Sequence, residues 1–422
     1  MNPNSFIRMG HGRRKTAPAL LIAFFVIMIV SAQLDSFQVL GFTVTGWGWV
    51  AIFVLSSTRI ILHPEAVTFP VWIWMPWVSY VLVRGFSGYE FAWQSTAQIV
   101  CPVVAGIAAS TYHISSARIG SIQALIRWAF LAYCAGFILI AVPSLIKVEI
   151  IRFPGGAISA LFFQSVFLAN YVLNGTRARD LICYLLAVAA PLVTGNRGPL
   201  VASLGLLMLA IMPISIRRRI LFAVLAGILG IGMFYSPWVQ RKMFHSGHGT
   251  LSDLRLENPD LNSNGRDNLW STLLSGMQEK PWLGEGGNAD RTFMLNHFAL
   301  NYLPHNDWFR VRFNYGWFGV MLYACTMACQ VFHLRRLARI PNARLRALAC
   351  AAATCFVPYI LVMFTDNVLI YCQAFTVPAF ALIGVSYAAA HNMQREFLTQ
   401  QSRFRTSSLL KPSFVGNQPI GM

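Results

Sequence analysis

Charge is scarce in this sequence. Asp, Glu, Lys and Arg make up 11% of its 422 residues, against roughly 25% in soluble globular domains. That argues against an ordinary water-soluble fold. Acidic residues are scarcer than basic ones: 15 Asp and Glu accompany 33 Lys and Arg. The chain has no glycine-rich nucleotide loop and no visible internal repeat, so it lacks a common mark of nucleotide enzymes and one of duplicated transporters. Eight cysteines, at 101, 134, 183, 325, 329, 350, 355 and 372, all lie in apolar stretches without zinc-site spacing. They read as small packing residues, not as disulfides or metal ligands.

Apolar residues are abundant, at 56%. They fall in twelve blocks: 17–34, 39–62, 66–83, 93–113, 122–145, 156–174, 180–194, 199–214, 220–236, 315–334, 347–365 and 368–390. Most are near the length a helix needs to cross about 30 Å of hydrocarbon. The expectation is an all-α, polytopic transmembrane bundle of about twelve spans. Residues 1–236 would hold about nine spans, 237–314 one long loop, 315–391 about three spans, and 392–422 a tail. The first block has a basic flank and ends near Val30-Ser31-Ala32, like a signal peptide. With eleven further blocks, a retained helix is expected.

The net charge of +18 raises the possibility of nucleic-acid binding, but its distribution favours a membrane topology. With the N-terminus in the cytoplasm, cytoplasmic segments hold 21 basic and 3 acidic residues, and outer segments hold 12 of each. The excess therefore lies on one side, as the positive-inside rule requires. Both termini are expected in the cytoplasm and the long loop outside, with no nucleic-acid partner. The reading is a multi-pass protein of a bacterial inner membrane with a periplasmic loop.

The 237–314 loop is too long for a mere connection. It has Trp238, Trp270, Trp282, Phe293, Phe298, Tyr302 and Trp308 to bury. The stretch 241–262 reads as irregular. Asn264 is a candidate cap for a helix over 266–279, with Leu269, Leu273, Leu274 and Met277 on one face. Gly284-Glu-Gly-Gly287 reads as a flexible turn. A second helix is expected over 308–315, capped by Asn306 or Asp307 and ended by Gly316. Its Arg310 and Arg312 are expected to snorkel at the membrane interface.

Three polar groups gather at the outer side. Arg197, in Thr194-Gly-Asn-Arg-Gly-Pro199, is an arginine between apolar blocks. It is either a ligand group or a snorkelling residue on lipid phosphate. Arg266 opens the first loop helix and either meets an anion or pairs with Asp267. His305 is a candidate general base. His297 competes with it, while His245 and His248 look like loop surface. Two arginines could grip a diphosphate, and a histidine could take a proton from an incoming hydroxyl. That is equipment for glycosyl transfer from a lipid diphosphate, with arginines stabilising the leaving group. No pair of loop carboxylates has the setting of a glycoside hydrolase. A flippase of lipid-linked glycan is the rival from another class.

Five motifs in order carry a resemblance: Thr194-Gly-Asn-Arg-Gly-Pro, Gly265-Arg-Asp-Asn-Leu-Trp, Lys280-Pro-Trp-Leu-Gly-Glu-Gly, Pro304-His-Asn-Asp-Trp and Asn314-Tyr-Gly-Trp-Phe-Gly. They resemble the O-antigen ligase and polysaccharide polymerase superfamily. The resemblance implies a C-type membrane glycosyltransferase fold and metal-independent inverting transfer without a cofactor. It implies Arg197, Arg266 and His305 as catalytic residues. Asn306 and Asp307 would position the substrate, and the substrate-binding set includes Asn196, Arg310 and Asp366. Asn196 stands where many members have serine, and Thr365-Asp366-Asn367 resembles a segment of exopolysaccharide polymerases. The implied partners are an undecaprenyl-diphosphate-linked glycan, membrane lipid, a chain-length regulator and a flippase. The implied product is polymerised exopolysaccharide or O-antigen. Transfer to lipid A–core by a ligase is the alternative.

Overall fold

A backbone in hydrocarbon must satisfy its own N–H and C=O groups, so apolar blocks fold as helices. Each of the twelve blocks carries helix in the computed structural model, which describes residues 17–34, 37–146, 154–175, 178–255, 258–298 and 303–409. The basic N-terminal flank (Arg8, Arg13, Arg14, Lys15), Tyr302 and residues 410–422 of the tail lie outside the described residues, as does the side chain of Trp238.

The chain begins with α1 (Ala19–Gln33), and then a two-stranded antiparallel turn, β1 (Gln38–Val39) and β2 (Phe42–Thr43). There follow α2 (Val44–Leu62), α3 (Val71–Arg84), α4 (Ala92–Ser110), α5 (Ser116–Ile146), α6 (Pro154–Leu173), α7 (Ala178–Thr194), α8 (Arg197–Leu209) and α9 (Ile216–Phe234). The long loop holds α10 (Pro237–Met243), α11 (Arg266–Gly276) and α12 (Ala289–Phe298). The chain closes with α13 (Asp307–Leu337), α14 (Ala343–Thr354), α15 (Phe356–Val362) and α16 (Thr376–Leu409).

Six stretches among the described residues are long and apolar enough to cross a membrane, against twelve expected. They are Val44–Leu62, Ala92–Ser110, Ser116–Ile140, Gly156–Leu173, Asp307–Leu337 and Ala343–Val362. The shortfall has local causes. Helices α1, α3 and α8 have 15, 14 and 13 residues. Helix α9 opens on three arginines. Residues 368–375 form turns before α16 begins.

Helix α16 packs along α4, and the approach depends on small residues. A Cβ on Gly384 would overlap the Gly106 carbonyl, and one on Gly106 would lie 3.0 Å from the Phe380 carbonyl. Close backbone approach of this kind is how helices associate where lipid removes the hydrophobic drive. Large apolar side chains remain exposed along α2 (Val54, Leu55, Ile61) and α9 (Ile220, Leu221, Ile228). Such faces suit contact with lipid.

The loop has its own small core. Leu269, Leu273, Met277, Ala289, Met294 and Phe313 are buried together, with Trp270, Phe293 and Phe309 packed around them. Leu274 of the expected face is 38% exposed instead. Helix α12 has no counterpart in the sequence reading. The stretch 241–262 is more ordered than expected, with α10, a 3-10 turn at Leu251–Asp253 and an antiparallel bridge between Phe244 and Leu261.

Helix α13 breaks at Gly316, whose φ of 65° and ψ of −173° leave the helical region. The loop turn 281–286 fills the break. Trp317 and Phe318 N–H donate to the carbonyls of Pro281 and Trp282, and Glu285 and Gly286 N–H donate to those of Phe313 and Asn314. A Cβ on Gly284 would sit 2.5 Å from the Tyr315 nitrogen. The glycine turn is therefore a fitted plug, not a flexible link. It leaves the Trp282 ring 64% exposed, contrary to its expected burial. Helix α3 holds the plug through Tyr80 Oη to Leu283 O (3.1 Å) and Arg84 Nη2 to Gly284 O (2.8 Å).

Candidate active site

Arg197 and Arg266 are each the first residue of a helix. Gly195 (φ 62°), two residues before Arg197, and Gly265 (φ 74°), directly before Arg266, are both left-handed. Gly265, not Asn264, is the cap residue of α11. Asn264 is itself left-handed, and its N–H donates to Asn262 Oδ1 (3.1 Å). The expected Arg266–Asp267 pairing gives way to another arrangement. Asp267 accepts from Ser263 Oγ at 2.5 Å and stays exposed, while Arg266 turns into a cavity.

That cavity, about 360 Å³, is formed by residues 195–199, Arg241 and Lys242, Asn262, Asn264 and Arg266, and Thr365 and Asp366. It thus joins the starts of α8 and α11, where the helix dipoles favour an anion. Four cationic side chains face one carboxylate. Burial lowers the Arg266 pKa, and Asp366 opposes that shift. Burial also lowers the Lys242 pKa, with Arg197 adding to the shift. Even so, an arginine keeps its proton, so a bound anion would relieve this crowding.

Two of these cations meet backbone carbonyls of the protein itself. Arg197 Nη1 donates to the Asn262 carbonyl (2.9 Å), and Lys242 Nζ donates to the Thr194 carbonyl (3.2 Å). The bend at 365–367 is built against the arginine turn. A Cβ on Gly198 would overlap Thr365 Oγ1.

His305 joins the site through this bend. Its Nδ1 lies 3.4 Å from Asp366 Oδ1 and 3.2 Å from Asn367 Nδ2. A carboxylate can only accept, so Asp366 favours the tautomer with the proton on Nδ1. The buried Asn367 Oδ1 has no hydrogen-bond partner among the described residues. Half a turn of the amide lets it accept from the same Nδ1–H. In the neutral ring of that tautomer, Nε2 carries no proton. The side chain is 43% exposed, and the backbone is left-handed at φ 48°. Non-glycine residues rarely adopt this conformation, and it costs about 1–3 kcal/mol.

The next two residues hold this geometry. Asn306 caps α13 by accepting from the Phe309 N–H (3.0 Å). Asp307 is fully buried. Its Oδ2 accepts from the Leu369 N–H and its own N–H donates to the Met363 carbonyl, both at 2.8 Å. It therefore pins the 363–369 bend to the start of α13.

Of the expected site residues, Asn196, Arg197, Arg266 and Asp366 line one cavity. His305 touches it through Asp366, while Asn306 and Asp307 lie outside its lining and hold the start of α13. Arg310 is elsewhere. It is 4% exposed and sits 3.4 Å from Asp290 instead of snorkelling. His297 bonds its own helix at the Phe293 carbonyl (2.9 Å). Sequence reasoning missed Lys242 and Arg241, which lay in a stretch read as irregular. It also missed Asn367 as a partner of the histidine. Among the described residues, no three His, Cys, Asp or Glu side chains converge to hold a metal ion.

Residues 182–324 match the family model described as O-antigen ligase. The match supports the O-antigen ligase and polysaccharide polymerase superfamily. It includes Arg197, Arg266 and His305 and stops short of Asp366. At the level of the family, the match supports an O-antigen ligase or polymerase-like function in a glycosyltransferase-like enzyme class. No curated protein matches the chain.

Proposed function

We propose that the protein extends a glycan carried on undecaprenyl diphosphate, at the outer face of a bacterial inner membrane, by inverting transfer. One observation carries this reading: Arg197 and Arg266, at two helix starts, share a cavity that His305 reaches through Asp366. The donor's diphosphate lies between the arginines. His305 Nε2 takes the proton from an acceptor hydroxyl as that oxygen bonds to the anomeric carbon. The bond from that carbon to the diphosphate oxygen breaks, and the electron pair leaves with undecaprenyl diphosphate. The arginines stabilise the charge that develops there, and the arrangement uses no metal or cofactor. Asp366 orients the imidazole and stabilises its protonated form, a role known from other His–carboxylate pairs. A flippase and a chain-length regulator would supply the donor and limit the product.

With a lipid-linked repeat unit as acceptor the enzyme is a polymerase, and the Thr365-Asp366-Asn367 bend at the cavity favours that form. The description of the matched family favours a second reading, ligation to lipid A–core. Full-length protein in nanodiscs, given the lipid-linked repeat unit, should release undecaprenyl diphosphate and form longer glycans. Release only when lipid A–core is added would make it a ligase. Movement of the donor across a bilayer with no release would refute both.

A further inference from the structure

A second cavity, about 150 Å³, lies where the start of α4 meets α12 and α13. Phe91, Gln94, Gln98, Asn288 and Arg310 supply its chemistry. Arg310 is 4% exposed, yet its Nε and Nη1 lack hydrogen-bond partners among the described residues. The Asp290 carboxylate is 3.4 Å from Nε, and Nη2 reaches Asn288 Oδ1 only at 3.5 Å. A buried guanidinium with idle donors lining a cavity is expensive unless a ligand completes it.

Position ties this cavity to the first. Leu303 and Ile370 line it. They lie two residues before His305 and three after Asn367, while Thr365 and Asp366 line the arginine cavity. The 365–370 segment thus borders both cavities, and His305, two residues after Leu303, meets Asp366 of the first.

The two cavities differ in charge. The first gathers four cations around one carboxylate. In the second, Asp290 already balances Arg310, and Arg291 stacks 5.3 Å from the Phe91 ring centroid. That environment suits a hydroxyl-rich ring better than a diphosphate. Amides and an arginine can bond hydroxyl and ring oxygens, and an aromatic side chain can cover the apolar face of a sugar. We infer that this cavity receives the terminal sugar of the acceptor glycan and presents its hydroxyl to His305. The inference rests on the glycosyl-transfer reading above.

Two probes separate the sites in the full-length protein. One is the repeat-unit oligosaccharide cut from its lipid diphosphate by mild acid. The other is inorganic diphosphate. Gln98→Leu and Phe91→Ala should each weaken oligosaccharide binding roughly tenfold or more and leave diphosphate binding unchanged. Arg266→Ala should do the reverse. Phe91 is 51% exposed, so its truncation tests the site even if Gln98→Leu fails to fold. Unchanged oligosaccharide binding in the folded variants, or none in the wild type, overturns the inference. Diphosphate binding that survives Arg266→Ala would sink the donor site instead and leave the acceptor cavity standing.

Discussion

Gly198 lies so close to Thr365 that any side chain on the glycine would overlap the threonine hydroxyl. The contact joins the start of α8 to a bend more than 160 residues later, and it sets Arg197 beside Asp366. Gly198→Ala should therefore cost about 1–3 kcal/mol through overpacking and reduce transfer by misplacing Arg197. The same added Cβ would lie 3.0 Å from Thr365 Cβ. Adding Thr365→Ala should thus restore part of the loss. A double mutant no better than Gly198→Ala would show that the contact does not position the site.

Arg197→Ala and Arg266→Ala should each lower turnover by roughly 10²–10³, the usual cost of removing a donor aimed at developing charge. Both proteins should still insert. Single-turnover release of undecaprenyl diphosphate, normalised to folded protein, is the measurement. Near-normal release from either variant would remove that arginine from the mechanism. Lysine should rescue poorly at either position, because it lacks the planar fork.

Asp366→Asn keeps the shape of the bend but loses the pure acceptor opposite His305 Nδ1. The wrong imidazole tautomer becomes accessible, so kcat should fall by roughly 10²-fold or more while the KM for the donor changes little. Nitrogen chemical shifts of His305 should report the tautomer directly. A variant with Nε2 still unprotonated and normal kcat would contradict the assigned role.

Much of the site was legible in the sequence because its arginines and histidine sit in short polar motifs amid apolar blocks. The loop helix at 266 was legible from the spacing of Leu269, Leu273 and Met277. Its cap was not, since Asn264 and Gly265 are both left-handed and Asn264 is taken up in a turn on Asn262, which leaves the cap position to Gly265. Helix α12 was not legible although Ala289, Phe293 and Met294 share the loop core; it is short and follows directly on a glycine-rich turn. Arg310 reads as an interface residue because its partner, Asp290, is twenty positions earlier and only tertiary packing brings them together. The Gly284 plug has the same cause, since a glycine fitted against another backbone has the same local sequence as a hinge.

Acid should loosen the loop near the cavity. The Ser246 hydroxyl and backbone N–H hold the Asp260 pKa below its ordinary value, and the Ser263 hydroxyl does the same for Asp267. A depressed folded-state pKa contributes stability above the unfolded value. That contribution is lost as pH falls below about 4 and through the folded value. Hydrogen exchange at Ser246 and Gly265, corrected for intrinsic rates, should therefore speed up between about pH 6 and about pH 3. Equal protection at both would mean that these bonds do not hold the loop.

Helix α13 links the site to the basic end of the bundle. It has 31 residues and breaks at Gly316. The part beyond the break rises about 30 Å at 1.5 Å per residue, enough to cross the hydrocarbon. It ends at Arg335 and Arg336, and Arg339, Arg344 and Arg346 follow. If that end faces the cytoplasm, as the positive-inside rule predicts, the Arg197 and His305 end must face outward. A reporter active only outside the inner membrane should therefore work when fused at Gly249 and fail at Pro341. Activity at Pro341 alone would invert the protein and place the site where no periplasmic acceptor could reach it.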